Sequence, residues 1–370
     1  MPKSLLLITG IFPPDSGGPS KFAIEFGIWA SQKNVDVTVQ TYSDNQNLVA
    51  KVGTVRVSRI LRSRTLLFRY AVMIRGIRRN LSPNISVLAV GAFLETYLSS
   101  IIYRFSYAVK VPGDIVWERA RNNNVTDLGI AEFQLQKLNF KYRVFRKLYS
   151  NSLKKARIVI VPSRGLFNLC LQWGVPQKNI RLIYNSVEPS ELFGVPTGVY
   201  EFDLVTICRL APWKGVDELI QFSAKRNLSL VVAGDGPDRA RLEALTKTLG
   251  AKVTFMGEIS TESVNKLLSK SKIFVLNSYY EGLPHALVEA RVAGLISVGR
   301  AGTGSEEVIN DDIDGYLIRP DRPLDATLDL AISSVTKSND FIQRAKNDAS
   351  SRFNKEINFN EISKIIQGKN

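Results

Sequence analysis

Short apolar runs and amphipathic stretches alternate along the whole chain. In the first half, Ser4–Thr9, Val35–Thr41, Ile85–Val90 and Arg157–Val161 read as strands. Phe22–Gln32, Leu66–Arg79 and Phe133–Lys155 repeat their apolar residues at helical spacing. In the second half, Leu204–Cys208, Leu228–Ala233, Val253–Met256, Ile273–Leu276 and Leu295–Val298 are rich in Val, Ile and Leu without strict alternation. Strands buried on both faces of a parallel sheet have this character. Helical patterns separate them at Val216–Ala224, Arg239–Leu249, Glu262–Leu268 and Pro284–Ala293. Strand–helix alternation in both halves predicts an α/β protein of two doubly wound, Rossmann-like domains. The pattern breaks at Asn185–Thr197, around Pro189 and Pro196. The expected domains are therefore 1–185 and 186–345. A helical tail at 346–370, anchored by Phe353 and Phe359, is expected to pack back toward the first domain.

Composition narrows the chemistry. A length of 370 residues suits two domains, and an apolar fraction of 45% suffices for two cores. Two distant cysteines, Cys170 and Cys208, exclude a disulfide framework and favour a reducing cytosol. A single histidine, His285, excludes most His-based metal sites and catalytic triads. Met1–Gly10 reads as a first buried strand rather than an export signal. The apolar stretch from Ser86 to Val109 is interrupted by Glu95 and Arg104, short of the ~18 uninterrupted residues a membrane span needs. A cytoplasmic protein is expected.

Two loops carry candidate chemistry, each expected at the C-terminal end of a strand, where open parallel sheets bind ligands. The first holds Arg209 and Lys214, in Ile207-Cys-Arg-Leu-Ala-Pro-Trp-Lys-Gly215. Two cations there can neutralise a diphosphate leaving group. The second is Glu281-Gly-Leu-Pro-His-Ala-Leu-Val-Glu289. Pro284 suits the first turn of a helix. The N–H groups near His285 and Ala286 then open onto phosphate or sugar hydroxyls. Glu289 lies one turn beyond His285 on the same face, and both carboxylates can accept hydrogen bonds from sugar hydroxyls. Gly234-Asp-Gly-Pro237 reads as a turn rather than a ligand contact.

In this order, with Phe255-Met-Gly257, Ala301–Val308 and Asp314–Leu317, these motifs closely resemble the retaining glycosyltransferases of family four, the glycosyl transferases group 1. The resemblance runs through nearly all of 184–319, and Ile11–Pro19 looks like the family's first strand-to-helix loop. It implies a GT-B fold, two Rossmann-like domains facing across a cleft, and a hexosyltransferase-type enzyme. By the same resemblance Arg209 and Lys214 bind the donor diphosphate and Glu289 the ribose. Glu281 contacts the transferred sugar, which Gly17 and Gly18 let the backbone approach. The base rests near Gly257 and Ile259, and the backbone N–H groups of His285 and Ala286 serve the donor. No metal or other cofactor is implied. Many members carry a histidine in the N-terminal domain; here Gly113-Asp114 stands in that place. Asp114 is then either a contact to the sugar or acceptor hydroxyl, or the N-cap of the following helix.

Charge is divided unevenly. The chain carries a net +15, yet residues 1–185 hold 27 Lys and Arg against 9 Asp and Glu. Between Asp44 and Glu95 there is no acid, but there are Lys51 and eight arginines. On the helix at 66–79, Leu66, Leu67, Tyr70, Ile74 and Ile77 alternate with Arg69, Arg75, Arg78 and Arg79. That pattern suits an anionic membrane face and a lipid-linked glycan acceptor, against a solvated helix over a core. Nucleic acid is disfavoured, since no recognition motif or interleaved aromatics accompany the charge. The expected activity is sugar transfer with retention, from a nucleoside-diphosphate sugar to an acceptor hydroxyl, in cell-surface polysaccharide biosynthesis. The alternatives are a nucleotide-sugar epimerase of the same architecture and a non-catalytic binder of nucleotide sugars or anionic polymers.

Overall fold

Strand–helix alternation closes into two sheets. The computed structural model describes residues 4–15, 17–44, 51–62, 65–123, 125–187, 200–335 and 339–368. The expected break at Asn185–Thr197 falls mostly outside them, as does the side chain of Leu66. Two units result, residues 1–183 with 356–370, and residues 184–355.

The N-terminal unit contains β1 (Ser4–Ile8), β2 (Asp36–Ser43), β3 (Lys51–Val52), β4 (Val55–Leu61), β5 (Ile85–Ala89), β6 (Ala108–Lys110), β7 (Ile158–Val161) and β8 (Ile180–Leu182). Their order is β3-β4-β2-β1-β5-β6-β7-β8, parallel except for the β3–β4 hairpin. Its helices are α1 (Gly18–Gln32), α2 (Leu66–Asn80), α3 (Phe93–Tyr103), α4 (Ile115–Asn122), α5 (Ile130–Leu135), α6 (Phe140–Lys155) and α7 (Arg164–Gln172). Alternate strand residues feed two cores. Leu5, Leu7, Val37 and Val39 pack with Phe26 and Trp29 of α1. On the other face Gln40 lies against Gly76 of α2, and Tyr42 reaches Glu95 of α3. Helix α3 packs on both α2 and α6, so these three form one layer.

The C-terminal unit contains β9 (Phe202–Ile207), β10 (Leu230–Ala233), β11 (Val253–Gly257), β12 (Ser271–Leu276), β13 (Ile296–Arg300) and β14 (Tyr316–Ile318). Their order is β11-β10-β9-β12-β13-β14, parallel throughout. Helices α8 (Val216–Arg226), α9 (Arg239–Leu249), α10 (Thr261–Ser269), α11 (His285–Val292), α12 (Leu324–Ser334) and α13 (Asn339–Arg352) complete it. Val205, Val231 and Phe274 face a core shared with α11 and α13, whereas Leu204, Val232 and Val275 face one shared with α8 and α12. Both units are thus doubly wound.

Two expected elements are divided differently in the structure. The helix expected over Phe133–Lys155 is two helices, because Asn139 caps α6 by accepting from Tyr142 N at 3.0 Å. Asparagine favours such a cap over a helix interior. The C-terminal tail divides at 355/356 rather than at 345/346. Phe353, after α13, is buried in the C-terminal unit. Helix α14 (Lys355–Ile366) brings Phe359 into the N-terminal unit, where it meets Phe22, Phe26 and Trp29 edge-on at 5.9, 5.2 and 5.6 Å. Aromatic pairs of this geometry contribute about 0.5–1.5 kcal/mol each beyond area burial.

Candidate functional site

In the C-terminal sheet the chain first forms β9, builds outward to β10 and β11, and then returns to β12 on the other side. The reversal point lies between β9 and β12, and the loops leaving their C-terminal ends are the two that carry the charged motifs. Ligands of open α/β sheets bind at that crevice.

After β9, Arg209 is exposed, and Pro212–Lys214 makes a single 3₁₀ turn ending at Gly215. Gly215 has φ +60, and a Cβ there would strike the side chain and carbonyl of Asn277. Only glycine tolerates both demands. Asn277, the first residue beyond β12, is fully buried, donating to Gly215 O at 2.9 Å and to Glu218 at 3.1 Å. Tyr279 N donates to Trp213 O at 2.9 Å, stitching the two loops together. Sequence reasoning missed Asn277; its signal was a polar residue directly after an apolar strand.

This bracing brings Lys214 Nζ to 2.5 Å from Glu281 Oε1, with the side chains 16% and 15% exposed. Lys214 has three donor hydrogens, so one bond to Glu281 leaves capacity for an anion. Arg209 has no acidic partner among the described residues. Burial pushes the Cys208 thiol up to about 11. It is therefore protonated at neutral pH and a poor nucleophile. Helix α11 begins at His285, with Pro284 as its N-cap rather than its first helical residue, and no side chain caps it. His285, Ala286 and Glu289 are half-buried along its first turns, at the same sheet edge as Glu281. Gly304 N donates to Glu281 O at 2.9 Å, holding the Glu281 loop from the side of β13.

On the other flank, Cβ atoms at Gly234 and Gly236 would collide with the carbonyls of Cys208 and Leu210. These glycines press the β10 exit loop onto the Arg209 loop, the turn role expected of them. Gly257, with φ +66, accepts from Gly234 N at 2.7 Å, and Ile259 packs on the adjoining core. Arg209, Lys214, Gly257, Ile259, Glu281, His285, Ala286 and Glu289 thus belong to neighbouring strand exits of one sheet.

The remaining candidates lie in the N-terminal unit. Gly17 (φ +138) precedes α1, and both Gly17 and Gly18 are exposed, with open space where a Cβ of Gly18 would stand. Asp114 takes the capping geometry. It is fully buried, and its Oδ1 accepts from Val116 N at 2.9 Å and Trp117 N at 3.1 Å. Its Oδ2 accepts from Gln134 Nε2 at 2.8 Å. Burial pushes this carboxyl up, opposed by the Trp117, Gln134 and Val116 hydrogen bonds. Both oxygens are engaged inside the fold, so of the two expected roles the cap is the one this geometry displays. Asp114→Ala is expected to cost about 2 kcal/mol in urea unfolding, and Asp114→Asn to recover most of it. Lost turnover at unchanged stability would contradict the capping role.

Arg69 is corrected. It turns inward, its guanidinium 5.1 Å from the Tyr42 ring centroid and donating to Arg62 O at 3.2 Å. Arg75, Arg78 and Arg79 are exposed. Beneath Arg69, Tyr42 OH donates to buried Glu95 at 2.8 Å, and burial pushes the Glu95 carboxyl up. This pair lies at the C-terminal edge of the first sheet. Sequence reasoning used Glu95 only as an interruption of an apolar stretch; a lone acid there was its signal.

Known proteins resemble this chain in sequence and in fold. Residues 198–348 match the glycosyl transferases group 1 family. An uncharacterized glycosyltransferase of Methanocaldococcus jannaschii, MJ1069, is 28% identical over 302 residues, 70% of this chain and 76% of that one. An N-acetylgalactosaminyltransferase of Campylobacter jejuni, named for an undecaprenol-diphosphate-linked glycan acceptor, is 33% identical over 125 residues. That match spans 33% of this chain and 34% of the relative. The crystal structure of Anabaena HepE in complex with UDP and glucose superposes with a TM-score of 0.77 at 18% identity, covering 99% and 100% of the two chains. The likeness in structure is one of fold, GT-B. The stretch 198–348 is thus similar to the glycosyl transferases group 1 family, and the chain is a hexosyltransferase-type glycosyltransferase that works on a nucleotide-sugar donor.

Proposed function

We propose that the chain transfers a sugar with retention of configuration from a nucleoside-diphosphate sugar to the hydroxyl of a lipid-linked glycan in cell-surface polysaccharide biosynthesis. The observation that carries the donor reading is the meeting of Arg209, the Lys214–Glu281 pair and the N-terminal turn of α11 at the reversal point of the C-terminal sheet. Arg209 and Lys214 face the diphosphate, and the helix dipole adds to their field. As the glycosidic bond breaks, charge develops on the diphosphate, and fixed cations there stabilise the transition state more than the ground state. Glu289 accepts from the ribose and Glu281 from the transferred sugar. The base rests on the backbone from Gly257 to Ile259, and Gly17 and Gly18 let the backbone approach the sugar closely. No metal is needed where two cations and a helix terminus serve the phosphates. Among the described residues no dedicated nucleophile is evident, and we take the reaction to run by internal return through an oxocarbenium-like state.

The lipid-linked acceptor is supported by the exposed Arg75, Arg78 and Arg79 and by the acceptor for which the Campylobacter relative is named. A cytoplasmic protein held peripherally on the inner membrane face fits both. Among the described residues no helix is long and apolar enough to cross a membrane.

A thermal-shift panel of nucleoside diphosphates and nucleotide sugars tests the donor reading. A ligand at a hundred times its Kd stabilises by about 2.7 kcal/mol, so one base is expected to raise the melting midpoint clearly. Arg209→Ala is expected to abolish most of that rise. A panel in which no nucleotide moves the midpoint would overturn the assignment, and interconversion of the donor sugar without acceptor would favour the epimerase.

A further inference from the structure

A second cationic site lies well away in sequence from the donor motifs. Between Glu132 and Glu188 there is no acid but there are eleven lysines and arginines. Four of these, Arg143, Arg146, Lys147 and Lys154, line a cavity of about 530 Å³ on α6, whose wall includes Gln134 and Trp173. Arg143, Lys147 and Lys154 form no salt bridge among the described residues, whereas Arg146 donates to Gln134 Oε1 at 3.5 Å and its charge acts on Asp114 behind it. Positions 143, 147 and 154 share one helix face, as i, i+4 and i+11 do. Gln134 ties the cavity to the fold, accepting from Trp173 Nε1 at 3.2 Å and donating to the buried Asp114.

Beside that face runs an apolar one. Phe140 and Val144, one turn apart, are 75% and 40% exposed, and Leu135 at the end of α5 is 89% exposed. Ile101 and Ile102, on the neighbouring α3, are also more than half exposed. Large apolar side chains gathered beside unpaired cations are the composition of a surface that rests on lipid while its charges meet headgroup phosphates.

We propose that the α6 cavity is a phosphate-binding site for the headgroup of an anionic phospholipid, with Leu135, Phe140 and Val144 seated in the bilayer interface. The inference rests on the membrane-bound reading above and moves its main anchor from the arginines of α2 to α6. Charge complementarity selects this occupant, because a purely apolar partner leaves Arg143, Lys147 and Lys154 without counter-charges and a soluble anion leaves the apolar face uncovered.

Co-sedimentation of the full chain with vesicles of phosphatidylglycerol and phosphatidylcholine, against phosphatidylcholine alone, tests it. The wild type is expected to partition onto the anionic vesicles only. Each cation near such a surface contributes roughly fivefold. The Arg143→Gln/Lys147→Gln/Lys154→Gln variant is expected to bind on the order of a hundredfold more weakly with an unchanged melting midpoint. Phe140→Ser/Val144→Ser is expected to weaken binding without altering its preference for charge, and Arg75→Gln/Arg78→Gln/Arg79→Gln to lose less than the α6 variant. If the α6 variant binds anionic vesicles like wild type while the α2 variant does not, the inference falls and the membrane reading stands. Equal partition of wild type onto neutral vesicles removes the phosphate role. If wild type binds neither, the membrane reading and this inference fall together, leaving the donor assignment untouched.

Discussion

Lys214→Ala is expected to lower kcat/KM by two to three orders of magnitude, measured as nucleoside diphosphate released from the donor that stabilises the protein most. Removing one fixed donor aimed at developing charge costs about 10²–10³ in rate. The loss is expected mainly in kcat, because charge on the diphosphate grows as the sugar departs. Lys214 also neutralises Glu281, 2.5 Å away and 15% exposed. Without its partner that carboxylate faces the incoming phosphates alone and repels them. Glu281→Gln keeps a hydrogen-bond acceptor and is expected to lose less. The double variant is expected to lose less than the product of the single losses, since residues acting as a unit are not additive. Unchanged turnover in Lys214→Ala would remove the cation from the mechanism.

Lys110→Met is expected to stabilise the protein, and to do so more in acid than in base. Lys110 is 3% exposed, its amine finds no hydrogen-bond partner among the described residues, and it lies 4.9 Å from the centroid of Phe22. Burial lowers its pKa from the ordinary 10.5 to about 7. Between those values the unfolded chain holds the proton and the folded one does not. Stability therefore rises with pH through that window, and the penalty is complete below about pH 7. At 1.36 kcal/mol per pH unit of separation the penalty approaches roughly 5 kcal/mol. Methionine fills a similar volume and carries no charge. Its melting midpoint is expected to exceed that of wild type by on the order of 10 °C at pH 6 and by much less at pH 10. A gain equal at both values would show that the lysine does not titrate on unfolding.

The C-terminal unit was far more legible in sequence than the N-terminal one. Its strands are runs rich in Val, Ile and Leu, so β9, β10, β11 and β12 fall within a residue or two of expectation. Lys214 and Glu281 sit in loops whose position follows from those strands. Strand β4 escaped because Arg56 and Arg59 occupy a run whose Val55, Val57 and Ile60 point inward. Its arginines were read as part of a charged surface instead. Helix α3 hid inside an apolar stretch, and the break between α5 and α6 turned on one side chain, Asn139. The fate of Arg69 was not written locally either. Its inward turn depends on Tyr42, a residue brought beneath it only by the pairing of β2 with β4.

Helix α14 gives the chain an order of completion that its linear sequence does not suggest. The N-terminal unit is the first to be synthesised, yet Phe359 belongs to its core, among Phe22, Phe26 and Trp29. Every strand of the other sheet is made before that aromatic cluster can close. During synthesis, then, the C-terminal unit can finish first, while the face of α1 that receives α14 stays uncovered. A chaperone acting on the nascent chain would find its apolar target there, on α1, until α14 arrives.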